Sequence, residues 1–418
     1  MKRFLAVFAV FAVLFAGVIA WLHWGTPSSE SAPVAQAPTP DRVATTPGEP
    51  SPTPEPEPDP IEIRIQFAGD ILLHRGPIDA ARIGQNTYDF RPFLRDIRPF
   101  IDGDLALVNM ETPVDVLGGN RDITTFPRFN APFEILEALD YAGFNHLIAA
   151  NNHSFDRGFD GLVATVENFE RVGLAFTGMY VDEDAFHVPT ILDVNGIQVG
   201  IIAYTDSVNG LESLVPAEMR PFAVRRFRSH VMDDVPAIAE DIAAIRAAGA
   251  EVVIVSLHWG AEYVDAPTEM QRQIARGLAD LGADVIMGNH AHVIQPVEWH
   301  VRADGGRSFI IYSLGNFLAD QTRLSTPIPR TQFGKLVSLQ VIREPDGTIR
   351  LDAAEVLPTL CMRDRTGNTL GIRDGISVMP VIGGELPEFV TNADLRDWGR
   401  RAYAHVVRIA GEEFIVRP

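Results

Sequence analysis

The chain has 418 residues and a single cysteine, Cys361. One thiol cannot form an intrachain disulfide, and it cannot supply the cysteine cluster of a structural zinc site. Positive charge is also scarce, because 35 lysines and arginines stand against 55 aspartates and glutamates, giving a formal net charge of −20. A nucleic-acid-binding protein needs a basic surface for phosphates, so the composition argues against that class. It also disfavours binding of any polyanion, unless a bound metal supplies local positive charge.

Charged residues are missing from Phe4 to Leu22, a run of 19 residues. As a helix this run would be about 28 Å long, close to the hydrocarbon thickness of a bilayer. Lys2 and Arg3 precede it, which favours a cytoplasmic N-terminus. We therefore predict an uncleaved, single-pass anchor in the cell membrane over residues 1–25, with the main domain extracytoplasmic. A cleavable signal peptide is the alternative, although its apolar region would normally be shorter.

Residues 26–60 form a second distinctive segment, which holds 11 of the chain's 30 prolines. Proline mixed with serine, threonine, alanine and glutamate cannot bury a core, so this segment is predicted to be a disordered, extended linker. The linker would hold the following domain away from the membrane.

From residue 61 short apolar runs alternate with amphipathic stretches, which is the pattern of β–α–β units. Several predicted helices end at a glycine, the residue preferred just after a helix. The pattern predicts a layered α/β domain over residues 61–358, and residues 359–418 are predicted only as a C-terminal extension of unknown role. The predicted strands cover 61–65, 105–109, 145–149, 174–177, 197–204, 251–257, 284–287, 309–313, 335–342 and 348–356, and the predicted helices cover 132–142, 159–172, 233–248 and 267–281.

Polar side chains follow the ends of several predicted strands, where α/β enzymes place their chemistry. Carboxylate, amide and imidazole groups together are enough to hold two adjacent metal ions. His290 and His292 carry the strongest signal, because side chains at positions i and i+2 of an extended segment lie on the same side. The candidate metal ligands are Asp70, Glu111, Asn152, His258, His290 and His292.

Each candidate also has a structural explanation. Asp70 follows a glycine and could simply form a turn. His258 stands beside Trp259 and could be a packed core residue. His290 and His292 could be a chance pair among eleven histidines. The agreement of several strand-end motifs favours the functional interpretation.

The polar run from Asn151 to Gly158 follows another predicted strand. Within it, Asn152 could ligate a metal through its amide oxygen, and His153 could protonate a leaving group as a catalytic acid. The alternative role for His153 is a cap on the following helix. Residues predicted to support the histidines or to shape the pocket are Gln295, Glu298 and the segment 312–317.

In their order and spacing these motifs resemble those of the CapA family of capsule-synthesis proteins over residues 63–320. The family is similar in fold to the calcineurin-like metallophosphatases, which implies a four-layer α/β/β/α sandwich of two packed sheets with helices outside. The resemblance also implies a role in the synthesis or export of a poly-γ-glutamate capsule at the cell surface. The motifs are Gly-Asp-Ile at 69–71, Asn-Met-Glu-Thr-Pro at 109–113, Asn-Asn-His-Ser-Phe-Asp-Arg-Gly at 151–158, His-Trp-Gly-Ala-Glu-Tyr at 258–263, Gly-Asn-His-Ala-His-Val at 288–293 and Tyr-Ser-Leu-Gly-Asn-Phe at 312–317.

The resemblance to the metallophosphatases also implies which residues hold which ion. Asp70 and His292 would hold the first ion, and Glu111 would bridge the two ions where the phosphatases use aspartate. His153 would assist the leaving group. The ligands implied for the second ion are Asn152, His258 and His290.

One position departs from the metallophosphatase pattern. The phosphatases carry Asp-x-His on the first strand, whereas Asp70 is followed by Ile71 and Leu72. His74 lies too far along the chain to replace the missing histidine. The first metal site is therefore expected to be either weaker than the second or empty.

The donor set suits Mn, Fe or Zn better than Ca, and two such ions are the expected cofactors. Three functions remain open. The first is a membrane-anchored protein of poly-γ-glutamate biosynthesis or export, with membrane components of a capsule synthase as partners. The second is a dinuclear-metal phosphoesterase that acts on a phosphorylated substrate of the cell envelope. The third is a module that binds an anionic polymer through its metals without cleaving it.

Overall fold

The computed structural model describes residues 59–115, 123–321, 328–363 and 375–416. The predicted anchor over 1–25 and nearly all of the predicted linker over 26–60 lie outside these ranges, so both remain predictions. Among the described residues, none of the helices combines the length and the apolar character needed to cross a bilayer.

Strands and helices alternate along the described part of the chain, as the sequence pattern indicates. The strands are β1 (Ile61–Leu72), β2 (Leu105–Met110), β3 (His146–Ile148), β4 (Ala175–Thr177), β5 (Thr190–Val194), β6 (Ile197–Thr205), β7 (Val252–His258), β8 (Val285–Asn289), β9 (Val297–Val301), β10 (Arg307–Ile311), β11 (Asn316–Ala319), β12 (Phe333–Arg343), β13 (Ile349–Arg363) and β14 (Ile376–Pro380). The α-helices are α1 (Arg75–Ala81), α2 (Arg91–Leu94), α3 (Glu134–Ala142), α4 (Gly158–Val172), α5 (Glu183–His187), α6 (Val235–Ala247), α7 (Glu269–Asp280) and α8 (Ala393–Ala410).

The strands form two sheets, which confirms the predicted α/β class. The first sheet has the order β14-β13-β12-β1-β2-β3-β4, and β11 pairs with the end of β1 beyond β12. The second sheet has the order β5-β6-β7-β8-β10-β9. Strands β1 to β4 run parallel to one another in the first sheet, as do β6, β7, β8 and β10 in the second. Strands β12, β5 and β9 pair antiparallel with β1, β6 and β10, respectively. Parallel strands end together, so each sheet has one edge at which loops can converge.

Alternate side chains of β7 point into two different apolar clusters. Val252 and Ile254 belong to a large cluster that also contains residues of the first sheet, such as Ile65 on β1. Val253 and Val255 belong to a second cluster that contains residues of α6 and α7. The second sheet is therefore covered on one face by these helices and on the other by the core that it shares with the first sheet.

The C-terminal residues contribute to the same fold. The boundary placed at residue 358 falls inside β13, which continues to Arg363 and pairs with β14. Proline lacks the amide proton of a ladder bond, but Pro358 still contributes its carbonyl, which accepts a hydrogen bond from Val381 N at 2.9 Å. Helix α8 packs on β12, where the ring of Phe333 lies 4.9 Å from that of Trp398. The described part of 359–418 thus supplies the end of β13, strand β14, helix α8 and a short 3-10 helix.

Candidate metal centre

The carboxyl ends of the parallel strands of both sheets meet at one place. Asp70 lies near the end of β1, Glu111 directly follows β2, and Asn152 follows β3. From the second sheet, His258 is the last residue of β7, and the loop after β8 carries His290 and His292. Hydrogen bonds and ion pairs of 3.9 Å or less link all six side chains into one cluster. The six candidates predicted from the sequence are therefore brought together.

One half of the cluster is centred on His292. Its Nδ1 lies 3.2 Å from Asp70 Oδ2 and 3.0 Å from Asn316 Oδ1. The other oxygen of Asp70, Oδ1, accepts a hydrogen bond of 2.7 Å from Asn109 Nδ2. The side chains of Asp70 and His292 are almost completely buried.

The other half is centred on His258. Its Nε2 lies 2.8 Å from Asn152 Oδ1, 3.1 Å from His290 Nδ1 and 3.4 Å from Glu111 Oε1. Glu111 Oε1 is also 3.9 Å from His292 Nε2, so this carboxylate stands between the two halves.

Glu111 provides the clearest indication that the cluster is built for a cation. Its side chain is fully buried, and neither carboxylate oxygen accepts a hydrogen bond from the residues that the structure describes. Leaving a buried charged group without hydrogen bonds is costly, and metal coordination is one of the ways in which proteins avoid this cost. Two overlapping groups of candidate ligand atoms, each within 4.8 Å of one another, contain Glu111: one with His290 and His292, the other with Asp70 and His258. The residues present therefore fit a metal ion.

The loop that carries the two histidines is held in a strained backbone conformation. His290 has φ of 93° and His292 has φ of 55°, values that side chains other than glycine rarely adopt. Gly288 begins this turn, and a Cβ there would lie 2.0 Å from the carbonyl oxygen of Tyr312. At the far end of the loop, buried Lys335 donates a hydrogen bond of 2.6 Å from Nζ to Gln295 O. The surrounding packing thus fixes the direction of both imidazoles.

Burial and neighbouring charges raise the pKa of some groups in the cluster and lower the pKa of others. Burial raises the pKa of Glu111 to about 8, and the charge of Asp70 contributes to the rise. Burial alone would lower the pKa of His292, but the carboxylates of Glu111 and Asp70 outweigh it and raise that pKa to about 9. Burial lowers the pKa of His258 to about 3 and also lowers that of His290. Neutral imidazoles are the form that binds metals.

His153 is held beside the cluster by a separate set of contacts. Its Nδ1 lies 2.8 Å from Asp156 Oδ2, and its ring packs edge-to-face on Phe129 at 4.7 Å. The same carboxylate oxygen accepts a hydrogen bond from the backbone N–H of Phe129 at 2.6 Å. With Nδ1 bound to a carboxylate, Nε2 is the ring nitrogen available for proton transfer.

Two asparagines of the cluster were not assigned from the sequence. Asn109 belongs to the quoted motif at 109–113, and its amide contacts both Asp70 and His258, the latter at 3.4 Å. Asn316 belongs to the segment predicted only to shape the pocket. Both lie in strand-end motifs, so their position was a signal that could have identified them.

Two predictions about supporting residues need correction. Glu298 was expected to support the histidines, but it pairs with Arg276 at 2.9 Å and accepts a hydrogen bond from Tyr312. The side chain of Gln295 donates a hydrogen bond to Val264 O, and its backbone carbonyl accepts one from Lys335 Nζ. The side chains lie elsewhere because the chain turns sharply after His292.

His74 does not take the place of the missing histidine. Its Nδ1 lies 3.2 Å from Leu72 O, and its ring packs edge-to-face on Phe129 at 5.1 Å. No hydrogen bond among the described residues joins it to Asp70 or His292, as expected from its distance along the chain.

Comparison with known proteins identifies the family of the chain. The sequence profile of the family described as Bacterial capsule synthesis protein PGA_cap matches residues 64–321, more than half of the chain. This chain belongs to the PGA_cap family. The resemblance to capsule-synthesis proteins inferred from the motifs is thereby confirmed, and the matched span contains every residue of the cluster.

Curated relatives of this PGA_cap chain share its central part. The PGA biosynthesis protein CapA of Bacillus subtilis (strain 168) is 31% identical over 256 residues, which cover 61% of this chain and 63% of that protein. The capsule biosynthesis protein CapA of Bacillus anthracis is 27% identical over 265 residues, which cover 62% and 60%. The chain therefore spans less than two thirds of the length of these relatives.

Two solved structures show a weaker similarity to the PGA_cap chain. The NAD nucleotidase (NadN) of Haemophilus influenzae has a TM-score of 0.40 with 11% identity, over 86% of this chain and 57% of that one. The calcineurin-like phosphoesterase YfkN of Bacillus subtilis has a TM-score of 0.38 with 15% identity, over 83% and 99%. Similarity at this level does not bear on the function of the chain.

In protein freed of metal by a chelator, stability should fall as the pH rises from 7 to 9. Folded protein keeps protons on Glu111 and His292, whose pKa values are raised to about 8 and about 9, above the pH at which the unfolded chain loses them. The stability that these two groups contribute is fully present only below their unfolded pKa values, 4.5 and 6.5, and it is lost as the pH rises through the folded values. Burial lowers the pKa of Lys335 to about 7, which raises stability over the same range and offsets part of the loss. We expect a net loss on the order of 2 kcal/mol, measured by urea unfolding.

The variant Glu111→Gln removes one of the two groups and should flatten this profile between pH 7 and 8. Glu298→Gln is the matched control, because Glu298 lies outside the cluster, and it should keep the wild-type slope. A metal-free Glu111→Gln profile with the wild-type slope would contradict the charge arrangement described above.

Proposed function

We propose that this PGA_cap chain holds two divalent metal ions and uses them to act on an anionic substrate of the cell envelope. The buried carboxylate of Glu111 carries the proposal, because it stands between two histidine groups with no hydrogen bond among the described residues. Asp70 and His292 would hold the first ion, and Glu111 would be shared between the two ions. The residues that would hold the second ion are Asn152, His258 and His290.

The distances within each half support this division. Ligand atoms about 2.1 Å from a common metal ion lie about 3.0–3.4 Å apart in tetrahedral or octahedral geometry. Asp70 Oδ2 and His292 Nδ1 are 3.2 Å apart, and His258 Nε2 and His290 Nδ1 are 3.1 Å apart. The donor set of imidazole, carboxylate and amide suits Mn, Fe or Zn.

Two neighbouring ions would neutralise charge that develops on a phosphate or acyl centre and would lower the pKa of a water molecule. The protein's own groups orient the site. Asn109 fixes Asp70 and His258 through its amide, and Asp156 fixes the ring of His153. His153 then delivers a proton from Nε2 to a leaving group.

The biological role follows from the family and from charge. Relatives are named for the biosynthesis of PGA and of capsule, so we propose that this chain acts in the assembly or export of a poly-γ-glutamate capsule. With a net charge of −20, the chain needs its metals to attract such a polymer. A phosphorylated envelope molecule meets the same requirement, and membrane components of a capsule synthase are the partners that fit this role.

Leu72 occupies the position at which the phosphatases carry a histidine, and this difference favours a second function, metal-dependent binding without cleavage. A centre with one weaker half would hold an anionic polymer through its metals without cleaving it. Binding without cleavage needs the metal ligands but does not need the proton of His153.

The location of the domain is part of the proposal. The apolar run from Phe4 to Leu22 and the proline-rich segment after it support a single-pass anchor that holds the domain outside the cytoplasm. The N-terminus would lie inside.

The purified full-length chain should bind two divalent ions, counted by elemental analysis after dialysis against Mn. His290→Ala should lose at least one ion, because it removes a ligand that lies 3.1 Å from His258 Nε2. His300→Ala is the matched control, since His300 pairs with Asp280 away from the cluster, and it should keep both ions. A wild-type chain without bound metal would contradict the proposal.

Surface polymer should depend on the chain and on His153. In the bacterium that encodes this chain, deletion should remove surface poly-γ-glutamate, and re-expression of the wild type should restore it while His290→Ala should not. His153→Asn should lower polymer about 100-fold or more, the typical loss of a general acid, while keeping both metal ions. Full polymer with His153→Asn would support metal-dependent binding without cleavage. Unchanged polymer after deletion would contradict the capsule role.

The full-length chain should sediment with membranes and resist extraction at alkaline pH. Protease added to spheroplasts should digest the main domain, because it lies outside. A variant lacking residues 4–22 should remain soluble in the cytoplasm, since it has lost both the anchor and the export signal. Recovery of a shortened wild-type chain from the medium would contradict the anchor and favour a cleaved signal peptide.

A further inference from the structure

We infer that Asn316 is a ligand of the first metal ion and takes the place of the histidine that the first strand lacks. This inference rests on the two-ion function proposed above. Asn316 begins β11, which pairs with the end of β1 so that Asn316 lies directly opposite Asp70. The neighbouring strand thus supplies an amide oxygen beside Asp70, whereas β1 carries the apolar Leu72 two residues after Asp70.

The amide of Asn316 can point in only one direction. Its Nδ2 lies 3.0 Å from Thr331 O and 3.0 Å from Gln321 Oε1. A backbone carbonyl can only accept a hydrogen bond, so the NH₂ group must face Thr331. The amide oxygen is therefore turned toward His292 and Asp70, and the side chain is buried.

Asn316 repeats the arrangement found in the other half of the centre. Asn152 Oδ1 lies 2.8 Å from His258 Nε2, and Asn316 Oδ1 lies 3.0 Å from His292 Nδ1. Both distances are close to the separation of two ligands on one ion, about 3 Å. Each half thus pairs one histidine nitrogen with one amide oxygen.

Without a cation, the two oxygens at the first site must share one hydrogen bond from His292 Nδ1. His292 Nδ1 can carry one proton, whereas Asp70 Oδ2 and Asn316 Oδ1 are both acceptors at this contact. If His292 carries its proton on Nε2 instead, the Nδ1 lone pair faces two oxygens. A cation between the three atoms satisfies all of them at once.

Substitution of Asn316 by cysteine tests direct contact with the metal. In the full-length Asn316→Cys chain loaded with Co²⁺, a thiolate on the ion should add a ligand-to-metal charge-transfer band in the near ultraviolet. Gln321→Cys is the matched control, because Gln321 lies one hydrogen bond further from the centre and should add no band. The wild type provides the background of the buried native thiol, Cys361.

Metal stoichiometry provides the second measurement. Asn316→Leu, which has no ligand atom, should weaken one of the two ions at least tenfold in titrations with Mn²⁺ and leave the other unchanged. Asn316→Asp should keep both ions, because its carboxylate can replace the amide oxygen. Circular dichroism and thermal unfolding of each variant confirm that the loss does not come from misfolding.

The outcomes separate this inference from the proposed function. A wild-type chain that binds two ions, together with a folded Asn316→Leu that binds both with wild-type affinity, overturns the assignment of Asn316 alone. The absence of a new band in a folded, cobalt-loaded Asn316→Cys also overturns it. A wild-type chain that binds no metal overturns the two-ion function itself.

Discussion

Two buried carboxylates, Asp70 and Glu111, impose the constraint on which the rest of the centre depends. Negative charge removed from water must be neutralised by partners, because its desolvation costs several kcal/mol. Asp70 has such partners in Asn109 and His292, but both oxygens of Glu111 lack a hydrogen bond among the described residues. A cation bound next to Glu111 would neutralise this carboxylate, and the neighbouring histidines and amides offer further ligand atoms for such a cation.

The architecture satisfies this constraint by bringing two sheets together at the carboxyl ends of their parallel strands. The first sheet supplies the carboxylates and Asn152, and the second supplies the histidines. Asn109 links the two sets through one amide, which contacts both Asp70 and His258. His290 has a positive φ, which strains the backbone of the loop after β8. The buried hydrogen bond from Lys335 to the same loop helps to hold the loop in this conformation.

Much of the fold could be predicted because its signals are local. The helices α3, α4, α6 and α7 were predicted within two residues, since each has an apolar stripe and most end near a glycine. The sequence patterns did not predict strands β5, β9, β11 and β14, the extension of β13 across Pro358, or helices α1, α2, α5 and α8. These elements are stabilised by pairing and packing with residues that are distant in sequence. Phe333 on β12, for example, contacts Trp398 and His405 on α8. Local sequence patterns do not predict such contacts.

The sequence by itself determined which residue types stand at the strand ends, and hence the six candidate ligands, the membership of the family and the low positive charge. Only the tertiary structure decided which side chains are in contact with one another. In the structure Asn316 lies opposite Asp70, Glu298 binds Arg276, and His74 packs on Phe129. The physical reason is that a ligand set is defined by distances of a few ångströms between side chains, and those distances arise from strand register and from the packing of the two sheets.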